Sequence, residues 1–329
     1  MTGFERVDDN DLLRVTLVRR AVAAEGIISL QLRPAGGGRL PRFSAGAHVD
    51  LHLPNGLIRQ YSLCGDPRDD DLYEIAILRE EQGRGGSKSA HDDLREGDTL
   101  RISVPRNHFP LEQAPHTLLF AGGIGITPLL AMARQLHEDV ASFELHYCAR
   151  SRSRAAFADC LAAAPFSDSV HFHFDDGPEA RRLDADYVCR TAVAGSRLYV
   201  CGPAGFMDHV MSAARGAGWP DERIHHEYFS APAPAHGTAS GDGFEVECAR
   251  AGKVVPVPAG QSIVAALRSH GIEVQLSCEQ GICGTCSIRV LQGVPDHRDH
   301  FLTASEKAAN DRLLACCSRA LSARLVVDL

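Results

Sequence analysis

Four cysteines near the C-terminal end constrain this chain more than any other feature. In residues 277–290, SCEQGICGTCSIRV, Cys278, Cys283 and Cys286 follow the spacing C-x4-C-x2-C, and Cys316 follows after 29 intervening residues. Four thiolates in this order are the plant-type arrangement that holds the two irons of a 2Fe-2S cluster. A loop wrapped around a cluster must turn sharply and aim backbone N–H groups at sulfur, and Gly281 and Gly284 permit those angles. The alternatives are a zinc site or four buried thiols. Structural zinc usually takes two C-x2-4-C pairs, whereas the fourth cysteine here stands alone. The spacing leaves either Cys316 or its neighbour Cys317 as the fourth ligand.

The rest of the C-terminal segment suits such a loop. Residues 262–270 read as a short helix ended by Gly271, preceded by the strand-like runs GFEVECA and KVVPVP. This order predicts an α+β, ferredoxin-like (β-grasp) domain.

The chain holds eleven cysteines in 329 residues. The seven outside the pattern (Cys64, Cys148, Cys160, Cys189, Cys201, Cys248 and Cys317) are scattered and read as free thiols of a reducing compartment. The start, MTGFERVDDNDLLRV, lacks the basic and apolar stretches of a signal peptide, and no apolar run is long enough to span a membrane. A cytoplasmic protein without membrane contact is expected. A net charge of −8 argues against nucleic acid as a partner.

Residues 231–243, APAPAHGTASGDG, are rich in Pro, Ala, Gly and Ser and read as a linker, leaving 244–329 as the ferredoxin-like domain. A softer boundary lies at 105–115, PRNHFPLEQAP. Before it, short β-rich runs at 12–18, 27–32, 48–53, 57–63, 72–78 and 99–104 alternate with turn residues, the pattern of a small antiparallel barrel over residues 1–109. After it, strand-like runs at 117–121, 143–148, 170–174 and 197–201 alternate with helical stretches, which predicts a doubly wound α/β domain over residues 110–230.

Two turns in the α/β segment carry ligand chemistry. AGGIGITP, residues 121–128, follows the first strand and opens a helix, so Gly122, Gly123, Gly125 and Thr127 would lie where a backbone can approach a pyrophosphate at a helix N-terminus. Pro128 fits the first helical turn and breaks the G-x-G-x-x-G pattern. CGPAGF, residues 201–206, follows another strand, placing Cys201, Gly202 and Pro203 at a second C-terminal strand end, where open α/β sheets bind ligands. Cys201 would stand beside a nicotinamide ring; a plain buried thiol is the alternative.

In the N-terminal segment, RQYSL (59–63) and GRGGS (83–87) pair a charged, aromatic strand with a glycine-rich turn before a helix at 88–94. Together they suit a flavin ring and a terminal phosphate. Each alone reads better as a plain hairpin strand and a flexible loop.

Taken in order, RQYSL, GRGGS, GGIGITP, CGPAGF, HHEYF, CEQGICGTC and CCSRA resemble the phthalate dioxygenase reductase family within the ferredoxin–NADP reductase superfamily. The resemblance spans nearly the whole chain. It implies that Arg59, Gln60, Tyr61 and Ser62 line FMN, with Ser62 near the reactive edge of the ring. Ala76, Ile77 and Leu78 would contact the flavin pyrimidine through backbone atoms, and Gly85, Gly86 and Ser87 would bind its phosphate. Thr127 would approach the flavin or nicotinamide, and Phe229 would pack beside the isoalloxazine. Cys278, Cys283, Cys286 and Cys316 would hold the cluster, and Ser62 and Cys201 are the expected catalytic positions.

No acidic residue ends the second α/β strand, and Arg150, Arg152 and Arg154 follow it, a feature that can serve NADPH. The family mostly uses NADH, which is the expectation here. Nicotinamide gives two electrons together and a 2Fe-2S cluster takes one, so a flavin between them explains all three parts. The implied activity is that of an oxygenase reductase component, passing electrons from NADH through FMN and the cluster to a terminal Rieske non-haem iron oxygenase. The alternatives are a different acceptor (a haem or di-iron monooxygenase, or small molecules) and a redox-sensing binding protein.

Overall fold

The computed structural model describes residues 12–177, 180–230 and 243–329. The chain divides into two compact units, Met1–Phe229 and Ser230–Leu329. The segment 231–242, most of the expected linker, lies outside the described residues.

The first unit begins with six strands: β1 (Leu12–Ala24), β2 (Ile27–Pro34), β3 (His48–His52), β4 (Ile58–Ser62), β5 (Tyr73–Leu78) and β6 (Thr99–Ser103). They form one antiparallel sheet in the order β4-β3-β6-β1-β2-β5, and an antiparallel bridge between Leu63 and Ile75 joins its two edges into a barrel. The alternation expected of half-buried strands fills the interior with Val15, Leu17, Leu30, Leu32, Leu51, Ile75 and Ile102, all fully buried. β1 runs six residues beyond the apolar run that marks it in the sequence. A register shift between Leu17 and Arg19 interrupts the alternation there, although pairing with β2 continues to Ala24. Helix α1 (Gly86–Asp92) packs beside β5.

Five parallel strands follow: β7 (Thr117–Gly122), β8 (Phe143–Ala149), β9 (Val170–Phe174), β10 (Arg197–Cys201) and β11 (Ile224–Glu227), in the order β11-β10-β7-β8-β9. Their helices are α2 (Ile126–Glu138), α3 (Ala158–Ala162), α4 (Ala185–Thr191) and α5 (Ala204–Gly216). Alternate residues of β7 and β10 serve opposite faces. Leu119, Ala121, Tyr199 and Cys201 join α2 in a core continuous with the barrel interior, while Leu118, Phe120, Leu198 and Val200 join α4 and α5. This two-sided burial explains the unbroken apolar run of β7. The strand order reverses between β7 and β10, the switch point at which doubly wound sheets bind ligands.

The stretch expected as a soft boundary is tightly held. Asn107 donates to the Ala45 carbonyl, the Glu112 N–H donates to the Tyr199 hydroxyl at 2.8 Å, and the ring of buried Phe109 packs edge-on against Tyr199.

The second unit holds β12 (Phe244–Cys248), β13 (Lys253–Val257), α6 (Ile263–Ser269), β14 (Ser287–Gln292), β15 (Pro295–Asp296), α7 (Ala304–Ala309), β16 (Arg312–Leu314), β17 (Arg319–Ala320) and β18 (Arg324–Val327). Its main sheet has the order β13-β12-β18-β14-β16, with β12 and β18 parallel, and α6 buries Ile263, Val264, Ala266 and Leu267 against it. The Ser262 hydroxyl caps α6 by accepting from Ala265 N, and Gly271, at φ +71°, follows its last turn as the sequence predicts. The three large sheets are those of the flavin barrel, the doubly wound α/β fold and the β-grasp ferredoxin fold, and β15 and β17 form a separate two-stranded sheet. Among the described residues no helix is long and apolar enough to cross a membrane.

Candidate functional site

The two ligand-type turns meet at the switch point. β7 ends at Gly122, a short 3-10 turn covers Gly123–Gly125, and α2 starts at Ile126, while Cys201 ends β10 and α5 starts after Pro203. The glycines let the two backbones touch. A methyl group on Gly125 would press into the Cys201 carbonyl and lie 2.7 Å from Gly202 N, and one on Gly202 would lie 2.9 Å from Gly122 Cα. Two helix N-termini, each 13 residues of aligned dipole, thus open side by side at the same strand ends. Thr127 is buried, and its hydroxyl donates to the Ile124 carbonyl at 3.1 Å.

β11 brings in a residue that the sequence reading passed over. It pairs parallel with β10 so that Glu227 lies beside Cys201, and the Ser62 hydroxyl of β4 donates to Glu227 Oε2 at 3.4 Å. Burial pushes the Glu227 carboxyl up to about 8, opposed in part by the Ser62 hydrogen bond, so the group carries a proton at neutral pH. Burial, reinforced by Glu227, also raises the Cys201 thiol well above its ordinary range, which makes Cys201 a neutral, fully buried group. Phe229, two residues beyond Glu227, keeps 38% of its surface exposed.

Arg59, Gln60 and Tyr61 precede Ser62 on β4. A methyl group on Gly86 would lie 2.6 Å from Arg59 Cγ, so the arginine runs along the start of α1. Gly85, at φ +90°, makes the turn into that helix, and Ser87 Oγ accepts from Glu80 N at 3.0 Å. Arg59 and the GRGGS turn are therefore neighbours, as a phosphate cradle requires. The Gln60 side-chain nitrogen is buried without a hydrogen-bond partner, which fits a polar ligand edge such as that of a flavin. Ala76, Ile77 and Leu78 pair with Ser29, Ile28 and Ile27 of β2, and the Ile77 carbonyl lies 2.9 Å from His91 Nε2.

Two of the three arginines after β8 are committed elsewhere. Arg152 pairs with Asp159 at 2.9 Å and Arg154 with Glu25 at 2.6 Å. Arg150 stays exposed, at the strand end where Asp176 N donates to its carbonyl.

In the second unit, Cys278, Cys283 and Cys286 lie on the loop between α6 and β14, and Cys316 lies between β16 and β17. Cys278, Cys283 and Cys286 are buried, and Cys316 is half-buried. A hydrogen bond from Cys278 lowers the Cys283 thiol, and hydrogen bonds from Cys286 and Cys317 lower Cys316. Gln280 N donates to Cys278 Sγ at 3.3 Å, and Cys283 Sγ lies 3.3 Å from the Thr285 hydroxyl. Close thiols, with an N–H group aimed at sulfur, are a donor set suited to iron and sulfide. Gly281, at φ +72°, leaves no room for a side chain, since a methyl group there would lie 2.5 Å from Cys317 Sγ. Cys317 thus packs against the loop, while Cys316 faces Cys286.

A flavin barrel and a nicotinamide-type sheet in one unit, with a four-thiol ferredoxin fold in the other, define a pyridine-nucleotide reductase with its own iron–sulfur domain. Comparison with known proteins agrees. Residues 246–321 match the 2Fe-2S iron-sulfur cluster binding domain, and residues 106–224 match the N-terminal domain of dimethylamine monooxygenase subunit DmmA-like proteins. The chain is 52% identical to vanillate O-demethylase oxidoreductase of Pseudomonas sp. (strain HR199 / DSM 7063), over 97% of its own length and 100% of that protein. It is 39% identical to phthalate dioxygenase reductase of Burkholderia cepacia, over 98% of both.

Among solved structures, phthalate dioxygenase reductase, described as a modular structure for electron transfer from pyridine nucleotides to [2Fe-2S], superposes with a TM-score of 0.74 at 38% identity, covering 98% of this chain and 99% of that one. An intact type IV self-sufficient cytochrome P450 monooxygenase superposes at 0.87 and 38% identity, with all of this chain matching 42% of that longer protein. The chain belongs to the phthalate dioxygenase reductase family, several of whose members are named as reductases of oxygenase systems.

Proposed function

We propose that the protein takes electrons from NADH and delivers them singly, through FMN and a 2Fe-2S cluster, to a terminal Rieske-type oxygenase in the cytoplasm. The observation that carries this reading is the convergence of β4, β10 and β11 on the Ser62–Glu227 contact, beside Cys201 and the paired turns. In this reading residues 1–109 bind FMN, 110–230 bind NADH, 231–243 connect, and 244–329 hold the cluster. FMN, when bound, converts two-electron into one-electron transfer.

The chain's own residues position and tune. Arg59, Gly85, Gly86 and Ser87 hold a phosphate, Gln60 and Tyr61 line the ring, and Ala76, Ile77 and Leu78 border its pyrimidine. Gly122, Gly123, Gly125, Thr127, Gly202 and Pro203 shape the nicotinamide nucleotide site, with Phe229 at its edge. Cys201 fills its wall as a neutral thiol. Ser62 and Glu227 hold a proton beside the reacting region, out of bulk water. Cys278, Cys283, Cys286 and Cys316 ligate iron. The likeness to the phthalate dioxygenase reductase family supports NADH, while Arg150 stays exposed at the end of β8.

The relatives named for vanillate O-demethylase, phenoxybenzoate dioxygenase and phthalate dioxygenase support an oxygenase partner acting on an aromatic acid. A haem monooxygenase is the second reading, favoured by the likeness to the self-sufficient cytochrome P450. The test is NADH-dependent reduction of cytochrome c and of ferricyanide by the reconstituted chain and by Cys283→Ser. Loss of cytochrome c reduction with ferricyanide reduction retained supports the cluster as exit port. An unchanged cytochrome c rate overturns it.

A further inference from the structure

Asp299, in the loop between β15 and α7, carries a carboxylate taken wholly out of water, with its side chain 0% exposed. We propose that Asp299 and Lys307 form a charge couple that sets the reduction potential of the cluster, Asp299 holding it down and Lys307 limiting that effect. The inference rests on the reading that Cys278, Cys283, Cys286 and Cys316 hold a 2Fe-2S cluster, and adds two residues that are not ligands.

Local structure fixes both groups. Asp299 Oδ2 accepts from Phe301 N at 3.2 Å and from Leu302 N at 2.7 Å, which closes a turn ahead of α7. Thr303 and Glu306 then start that helix with a capping box, in which Glu306 Oε2 accepts from Thr303 N at 2.9 Å. Lys307 follows in the same helix. Its Nζ donates to the Asp299 carbonyl at 2.5 Å and lies 3.7 Å from Oδ2.

The backbone of Asp299 and His300 is tied to the cluster loop at Gly281. His300 N donates to the Gly281 carbonyl at 2.9 Å, and the Gly281 N–H donates in turn to the sulfur of Cys316. Asp299 also packs directly on the loop, since a methyl group on Gly281 would lie 3.1 Å from Asp299 Cα and 3.3 Å from its Cβ. One glycine therefore separates the acid from a ligating sulfur.

A turn-making role accounts for Oδ2 alone. Oδ1 is buried with no hydrogen-bond partner, and His297 Nδ1, 3.7 Å away, is equally without one. Asparagine would still accept from both N–H groups and would shed the charge, so the turn does not require an acid. A buried charge is costly unless well paired, and Lys307 stands beyond hydrogen-bond distance of the carboxylate. What the charge adds is a field. A carboxylate beside the loop disfavours the extra electron of a reduced cluster, and an ammonium group favours it. A unit charge about 10 Å from a redox centre, at an effective dielectric of about 20, shifts a one-electron equilibrium roughly tenfold.

The test is an anaerobic, mediated redox titration of the reconstituted full-length protein, read by electron paramagnetic resonance of the reduced cluster. Asp299→Asn should shift the equilibrium about tenfold toward the reduced cluster, an upward move of about 59 mV for one electron. Lys307→Met should move the midpoint downward, and the g-values should stay as in wild type in both variants. A packing role alone gives no such pair of opposite shifts. Any pattern other than opposite shifts, unchanged midpoints included, overturns the couple. If Asp299→Asn does not take up a cluster, Lys307→Met decides: a lowered midpoint supports the couple, and an unchanged or raised one overturns it. If dithionite-treated wild-type protein gives no reduced-cluster signal, the cluster reading falls and the couple with it; a normal signal with midpoints untouched by either variant sinks the couple alone.

Discussion

Gly125→Ala adds one methyl group where the two nucleotide-type turns cross. Its Cβ would press into the Cys201 carbonyl and stand 2.7 Å from Gly202 N, both backbone atoms that cannot rotate away. Ordinary contact needs about 3.5 Å, so the Cys201–Pro203 turn must retreat by at least about 0.8 Å. Overpacking of this kind costs about 1–3 kcal/mol. For a unit of this size each kcal/mol lowers Tm by about 2–4 °C, which gives a loss of about 2–12 °C. A displacement approaching 1 Å in a positioning turn can cost up to about a hundredfold in rate, so NADH turnover should fall more steeply than stability. The assays are thermal unfolding by circular dichroism, NAD+ affinity by calorimetry and single-turnover NADH oxidation. Gly123→Ala is the internal control, because its Cβ meets nothing within 4 Å and bears only the strain of φ +54°. Wild-type Tm and NAD+ affinity in Gly125→Ala, or greater damage from Gly123→Ala, would refute the argument that the glycines exist to let the turns meet.

Serine at Cys278, Cys283, Cys286 or Cys316 should abolish cluster incorporation, whereas Cys317→Ser should retain it, as read by visible absorbance and iron content. Glu227→Gln should flatten the pH dependence of stability in flavin-free protein. A carboxyl raised from 4.5 to about 8 stabilises the fold below 4.5 and loses that contribution as pH rises through about 8. Wild-type Tm should therefore fall further than that of the variant between pH 5 and pH 9, and parallel curves would contradict the buried, protonated state. Asp50→Ala strips Arg106 of its partner in a largely buried pair. The loss should be about 2–4 kcal/mol, below the range for complete burial because Arg106 keeps part of its surface in water, and denaturant titration measures it.

Much of this molecule is written in local patterns. The cluster loop is legible because iron–sulfur ligation imposes a fixed spacing, and the AGGIGITP and CGPAGF turns because two strand ends followed by small residues and a helix reinforce each other where one alone is a plain tight turn. Glu227 was not legible in the same way. It sits in HHEYF, from which only Phe229 was singled out, and IHHE lacks the apolar alternation that marks a strand. Its meaning comes from parallel pairing with β10 and from approach to Ser62, which is 165 residues away in sequence. His48 is similar: in GAHVDLH it reads as a strand residue, and only its cross-strand neighbours reveal an imidazole with nothing to bond. The second half of β1 was missed for a different reason, because its register shift breaks the period-two signal while the ladder continues. Of the arginines after β8, Arg152 and Arg154 pair with Asp159 and Glu25, contacts that the sequence could not show.

The account stands or falls on whether one polypeptide bridges a two-electron donor and a one-electron relay. Reconstituted full-length protein should be mixed anaerobically with NADH alone, then frozen for electron paramagnetic resonance while a parallel sample is followed at the flavin and cluster absorbance bands. The prediction is that NADH bleaches the flavin band and then generates the reduced-cluster signal with no added mediator. Consumption of NADH with the cluster left oxidised would contradict it.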